Sequence, residues 1–159
     1  MDGPRIPTRR LDATGSPALT RLAQAGAAAF GWTAELTLDR RLAELLRLRV
    51  SQINNCAYCL DLHHRVAREV GIPDAKIRLL TAWWETGLFT DAERLALAYA
   101  EALTRISDTT AGQAFQPHHD ALASHFGETE MLEIVGVVLN MNLWTRLKLA
   151  EGAMPTERS

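Results

Sequence analysis

The chain has 159 residues, enough for one domain with a real core, and is 47% apolar and 23% charged. A formal charge of −2 argues against a nucleic-acid or anionic-membrane binder, which needs a basic face. No apolar run approaches the roughly 20 residues of a membrane span.

Residues 1–15, MDGPRIPTRRLDATG, hold two prolines and Arg9-Arg10 with no hydrophobic stretch behind them. They read as a flexible arm rather than a secretory signal, which leaves 16–159 as a single domain of a cytoplasmic protein. Every longer segment then has helical periodicity, so the fold class is all-α. Ser16-Pro17 opens an Ala-rich first helix that stops near Gly31. Asp39 caps a second helix from Arg40 to about Asn54, with Leu42, Leu45, Leu46, Val50 and Ile53 inward. A third runs from about Cys56 to Val70 and stops at Gly71. Pro73 opens a short fourth helix that reaches Trp83. Thr90 and Glu93 form a capping box for a fifth, whose apolar stripe extends from Ala92 to Ile106. A sixth spans about Pro117 to Phe126, and a last one Glu130 to about Leu149. This last helix is apolar nearly all round, and only one side of it can face its own core. The second side predicts a homo-oligomer.

The two cysteines lie in "NNCAYCLDLHHRVAREVG", residues 54 to 71. On a helix Cys56, Cys59, Leu60, His63, Val66, Ala67 and Val70 make one inward stripe, whereas His64 points about 100° away into solvent. Asn54 and Asn55 put Cys56 at the helix start, where unpaired N–H groups and the helix dipole favour a thiolate. Cysteines three apart can form a disulfide, and His63 one turn beyond Cys59 can relay its proton. Two small apolar residues together by chance would give the same pattern. A zinc site fits poorly, because only one cysteine pair exists and His118, His119 and His125 belong to an amphipathic helix. No metal or cofactor is expected.

With Glu44 added, the stretch "AELLRLRVSQINNCAYCLDLHHRVAREVG" has the pattern E-x(11)-C-x-x-C-x(3)-H. It resembles the AhpD-like alkylhydroperoxidases of the carboxymuconolactone decarboxylase superfamily, and the likeness covers most of residues 15 to 150. The resemblance implies an AhpD-like helical bundle assembled as a trimer or hexamer. It also implies a thiol-dependent peroxidase with Cys59 as the thiol that attacks the hydroperoxide and Cys56 as the one that resolves it. Glu44 and His63 would relay the proton, and a thiol reductant or adaptor protein would restore the dithiol. Read from its surroundings alone, Glu44 would be a surface ion-pair partner of Arg40, Arg41 or Arg47. Some members of the family have a histidine between the cysteines, where this chain has Tyr58, a phenol that stays protonated near neutral pH. Tyr58 is expected to shape the pocket, and Trp83 and Trp84 to line it or to sit in the core. Two other functions stay open. One is a disulfide reductase or redox-sensing module; the other is a lactone decarboxylase of the same superfamily, whose chemistry needs no C-x-x-C.

Overall fold

A computed structural model describes residues 10–108 and 115–155. A 3₁₀ turn, Ala13–Gly15, precedes α1 (Pro17–Phe30), α2 (Arg40–Ile53), α3 (Ala57–Glu69), α4 (Asp74–Leu79), α5 (Asp91–Thr104), α6 (Phe115–Ala123) and α7 (Glu128–Glu151). Among the described residues there is no strand.

The helix starts follow the side chains that can satisfy free N–H groups. Ser16 Oγ accepts from the Leu19 N–H at 3.3 Å, with Pro17 at the first helical position. Asp39 Oδ1 accepts from both Arg41 and Leu42 at 3.0 Å. Thr90 and Glu93 form the reciprocal capping box, at 3.2 Å and 2.7 Å. At the end of α3, Gly71 takes a left-handed φ of 80°, which a Cβ would oppose. The Ile72 N–H can then reach the Ala67 carbonyl at 2.9 Å.

Several expected boundaries shift, and the sixth helix runs from Phe115 to Ala123 rather than from Pro117 to Phe126. Cys56 is the cap of α3 rather than its first helical residue. The fourth helix ends at Leu79, and the chain continues as 3₁₀ turns, Leu80–Glu85, with Ala82 out of helical geometry. Helix α5 ends at Thr104, so Ile106 lies past it, 63% exposed, rather than on the apolar stripe. Helix α7 begins two residues early, because Glu130 accepts from the Gly127 N–H at 3.2 Å, and it continues to Glu151.

Helix α2 is the axis of the molecule. Its residues Leu42 to Ser51 are all buried, and α3, α5 and α7 pack around it. An inward stripe was expected, but burial on every side encloses three charged residues, Glu44, Arg47 and Arg49. Arg49 pairs with Glu101 at 2.6 Å, which also accepts from the Trp83 indole at 2.8 Å. The turn from α2 to α3 has Asn55 at a left-handed φ of 51°, a conformation asparagine tolerates better than most residues. Asn54 Nδ2 anchors this turn to α7 through Asn142 Oδ1 and Thr145 Oγ1, each at 3.0 Å.

Helix α1 crosses α7 closely. A methyl group on Gly136 would enter the Phe30 ring, and one on Gly26 would come within 2.6 Å of Asn140 Oδ1. One side of α7 joins the core through Ile134, Val137, Val138 and Met141, and its other side leaves Leu132 and Leu139 exposed. Residues 10–13 of the expected arm are bonded to the end of α7. The Arg10 N–H reaches the Glu151 carbonyl at 2.8 Å and its guanidinium the Leu149 carbonyl at 2.7 Å, while the Ala13 N–H meets Glu151 Oε1 at 3.3 Å. Residues 1–9 of the arm lie outside the described residues. Among those described, no helix is long and apolar enough to cross a membrane.

Candidate active site

The central helix α2 supplies the acid of the site. Glu44 is 1% exposed, and its two carboxylate oxygens serve two different partners. Oε1 lies 2.6 Å from His63 Nδ1, and Oε2 accepts from Arg47 at 3.1 Å. Glu44 therefore makes both a contact with His63 and an ion pair. The ion pair is made with Arg47 alone among the three arginines, and it is buried rather than on the surface.

Arg47 fixes this carboxylate to the end of α1. Its Nη2 donates to the Phe30 carbonyl at 3.0 Å and to the Gly31 carbonyl at 2.9 Å, two groups left over where α1 stops. Burial lowers the guanidinium's pKa, and the Glu44 carboxylate opposes that shift. A carboxylate only accepts hydrogen bonds, so the hydrogen of the Glu44–His63 contact lies on Nδ1. Nε2 is then left as the basic nitrogen of His63.

Cys56 and Cys59 form a disulfide, with Cα atoms 5.3 Å apart. Both are buried, at 1% and 3% exposure, but they are not equivalent. Cys56 Sγ accepts from the Cys59 N–H at 3.3 Å as the cap of α3. Only Cys59 borders a cavity of about 320 Å³, and His63 and Arg47 border it too. His64, one residue on, is exposed as expected.

Three aromatic residues shape this cavity: Trp32 after α1, Tyr58 on α3 and Trp144 on α7. Tyr58 is therefore a pocket residue. Trp83 and Trp84 are not: Trp83 is in the core, and Trp84 is exposed at the edge of a separate groove. At the rim Lys148 Nζ lies 5.1 Å from the Tyr58 ring centre and 5.5 Å from that of Trp144, and pairs with Glu151 at 2.9 Å. Asn140 contributes the amide of the wall. Trp32, Arg47, Asn140, Trp144 and Lys148 were not marked as pocket residues from the sequence. One signal for Asn140 was there, a lone buried amide within an apolar helix. Among the described residues, no three of His, Cys, Asp and Glu come together as a metal would require.

The arrangement provides a sulfur at a cavity wall, a second sulfur bonded behind it, and an imidazole oriented by a carboxylate. It can support thiolate formation and dithiol–disulfide exchange.

Comparisons with known proteins identify relatives of this chain. The model of the carboxymuconolactone decarboxylase family matches residues 17–102, from the start of α1 through most of α5. The uncharacterized protein YdfG of Bacillus subtilis (strain 168) is 30% identical over 121 residues, 76% of this chain and 80% of its own. A solved protein of unknown function from Agrobacterium tumefaciens, described as a putative antioxidant defence protein AhpD, is 27% identical. It superposes with a TM-score of 0.84 over 94% of this chain and 99% of its own. The debrominase Bmp8 shares the fold at 18% identity, with a TM-score of 0.68 over 94% of this chain and 91% of its own. The chain belongs to the carboxymuconolactone decarboxylase family and is AhpD-like within it.

Proposed function

We propose that the protein is a thiol-dependent peroxidase that reduces organic hydroperoxides. His63 Nε2 takes the proton of Cys59, and Glu44 holds the resulting imidazolium. The thiolate attacks the outer oxygen of ROOH and the O–O bond breaks, leaving Cys59 as a sulfenic acid. The departing alkoxide takes the proton back and leaves as ROH. The Cys56 thiol then attacks the sulfenic sulfur, water departs, and the disulfide forms. A dithiol reductant or thiol adaptor protein, in a reducing compartment such as the cytoplasm, returns the pair to thiols. The observation that carries this reading is the shared cavity: Cys59 faces the same space as His63, whose Nδ1 is held at 2.6 Å by buried Glu44.

The exposed Leu132 and Leu139 of α7 support a homo-oligomer in which a second copy covers that face, and the family resemblance implies a trimer or hexamer.

The test starts from reduced protein and cumene hydroperoxide, following peroxide consumption and thiol loss. Wild type should consume the peroxide, Cys59→Ser should be inactive, and Cys56→Ser should stop at a sulfenic acid trapped by dimedone. A wild type that leaves the peroxide untouched, yet exchanges its disulfide with dithiol proteins, would make the protein a disulfide reductase instead. Light scattering at micromolar concentration tests the assembly, and a monomeric mass would sink it.

A further inference from the structure

Among the described buried side chains, Asn140 Oδ1 has no hydrogen-bond partner, although Asn140 is only 5% exposed. Leaving such a group unpaired forfeits the hydrogen bond that water would have given it, and an amide is a poor helix-interior residue in any case. Its neighbours on α7 include Val137, Val138 and Met141, so nothing in the helix's own packing calls for an amide there. The fold also makes room for it. Gly26 on α1 faces Asn140, where a Cβ would come within 2.6 Å of Oδ1. Asn140 borders the cavity that Cys59 and His63 border, among Ala27, Leu62 and Met141. Arg47 borders it as well, and its Nε is buried without a partner. One orphan is an acceptor and the other a donor.

We infer that Asn140 is a substrate-binding residue whose amide hydrogen-bonds the peroxide group of the substrate. The inference rests on the peroxidase reading. A hydroperoxide is a small group with one O–H donor and two acceptor oxygens. It is polar enough to need a partner in this wall, and the carboxamide offers both an acceptor and a donor. The aromatic and aliphatic lining then receives the organic part of the substrate. Asn140 supplies no proton; it orients the O–O bond towards the Cys59 sulfur and stabilises the oxygen that departs.

The experiment measures three quantities on wild type, Asn140→Leu and Gly26→Ala. They are the rate of thiol loss with cumene hydroperoxide, the rate of Cys59 alkylation by monobromobimane, and the melting temperature. Leucine keeps the volume and removes the unpaired amide. The Gly26→Ala methyl forces the amide to turn while adding a better helix former. Asn140→Leu should melt at or above wild type and alkylate within about twofold of it, yet react with the hydroperoxide roughly ten- to a hundredfold more slowly. Gly26→Ala should lose peroxide rate with no loss of stability. If leucine unfolds the protein, Asn140→Ala repeats the comparison without asking for volume. A peroxide rate within about twofold of wild type overturns the inference and leaves the amide as the partner of a water. A parallel fall in alkylation also overturns it, because the thiolate itself would then be affected. A wild type inert to the hydroperoxide removes the peroxidase reading, which the first measurement shows before any variant is compared.

Discussion

Glu44 and His63 come from different helices, 19 residues apart, and meet at 2.6 Å with both side chains buried. The meeting works because Arg47 occupies the other carboxylate oxygen and is itself fastened to the carbonyls that end α1. Helix termination in one part of the chain thus fixes an imidazole in another.

This linkage predicts strong coupling between Glu44 and Arg47. Glu44→Leu and Arg47→Met each leave a buried charge without its partner and should destabilise by about 3–5 kcal/mol. The double variant should cost less than the sum by about 1–3 kcal/mol, because neither charge is then stranded. Urea unfolding of the four proteins measures this, and simple additivity would mean that the pair does not act as a unit.

His63→Gln should slow the reaction of reduced Cys59 with cumene hydroperoxide by roughly 10²–10⁴, the usual range for loss of a positioned base. The circular dichroism spectrum should stay helical, since Glu44 keeps Arg47. An unchanged rate would assign the base to another group.

Gly136→Ala should destabilise by about 1–3 kcal/mol, because its methyl group would occupy the Phe30 ring. Elsewhere in a helix the same change is stabilising, so the sign is the test. Thermal melts of the two proteins decide it, and a higher melting temperature would mean that α1 and α7 can move apart.

Burial raises the pKa of the Tyr99 phenol above its ordinary value. The native state therefore favours the neutral phenol. This contribution is complete below the unfolded value of about 10 and is lost as pH rises through the higher native one. Melting temperatures from pH 9 to 11 should fall more steeply for wild type than for Tyr99→Phe. Parallel curves would show that this phenol does not contribute.

The helices were legible because capping residues and apolar spacing act locally. Ser16, Asp39, Thr90 and Gly71 mark their ends whatever the remainder of the chain does. Cys56, Cys59 and His63 could be placed on one face for the same reason, since one helix carries them. Glu44 was a different matter. Local chemistry pointed to a surface ion pair, and only burial of α2 on every side turns that pair inward. Trp83 and Trp84 were candidates for the pocket, which is instead shaped by Trp32 and Trp144, because tertiary packing decides which aromatic residue meets which wall. Asn140 and Lys148 come from the far end of the chain, and no spacing rule connects them to Cys59. The fourth helix gives way after Leu79 although Leu80 and Trp83 stay buried, because Ala82 leaves helical geometry, whereas α5 ends at Thr104 where Arg105 and Ile106 are exposed.

Arg10 and Ala13 hold the start of the described chain to Glu151, and Glu151 holds Lys148 against Tyr58 and Trp144. The two ends of the described chain and the doorway to the sulfur are therefore fastened together as a clasp. Trimming the front past Arg10, or crowding either end with an affinity handle, would loosen that doorway although no reactive group had been touched.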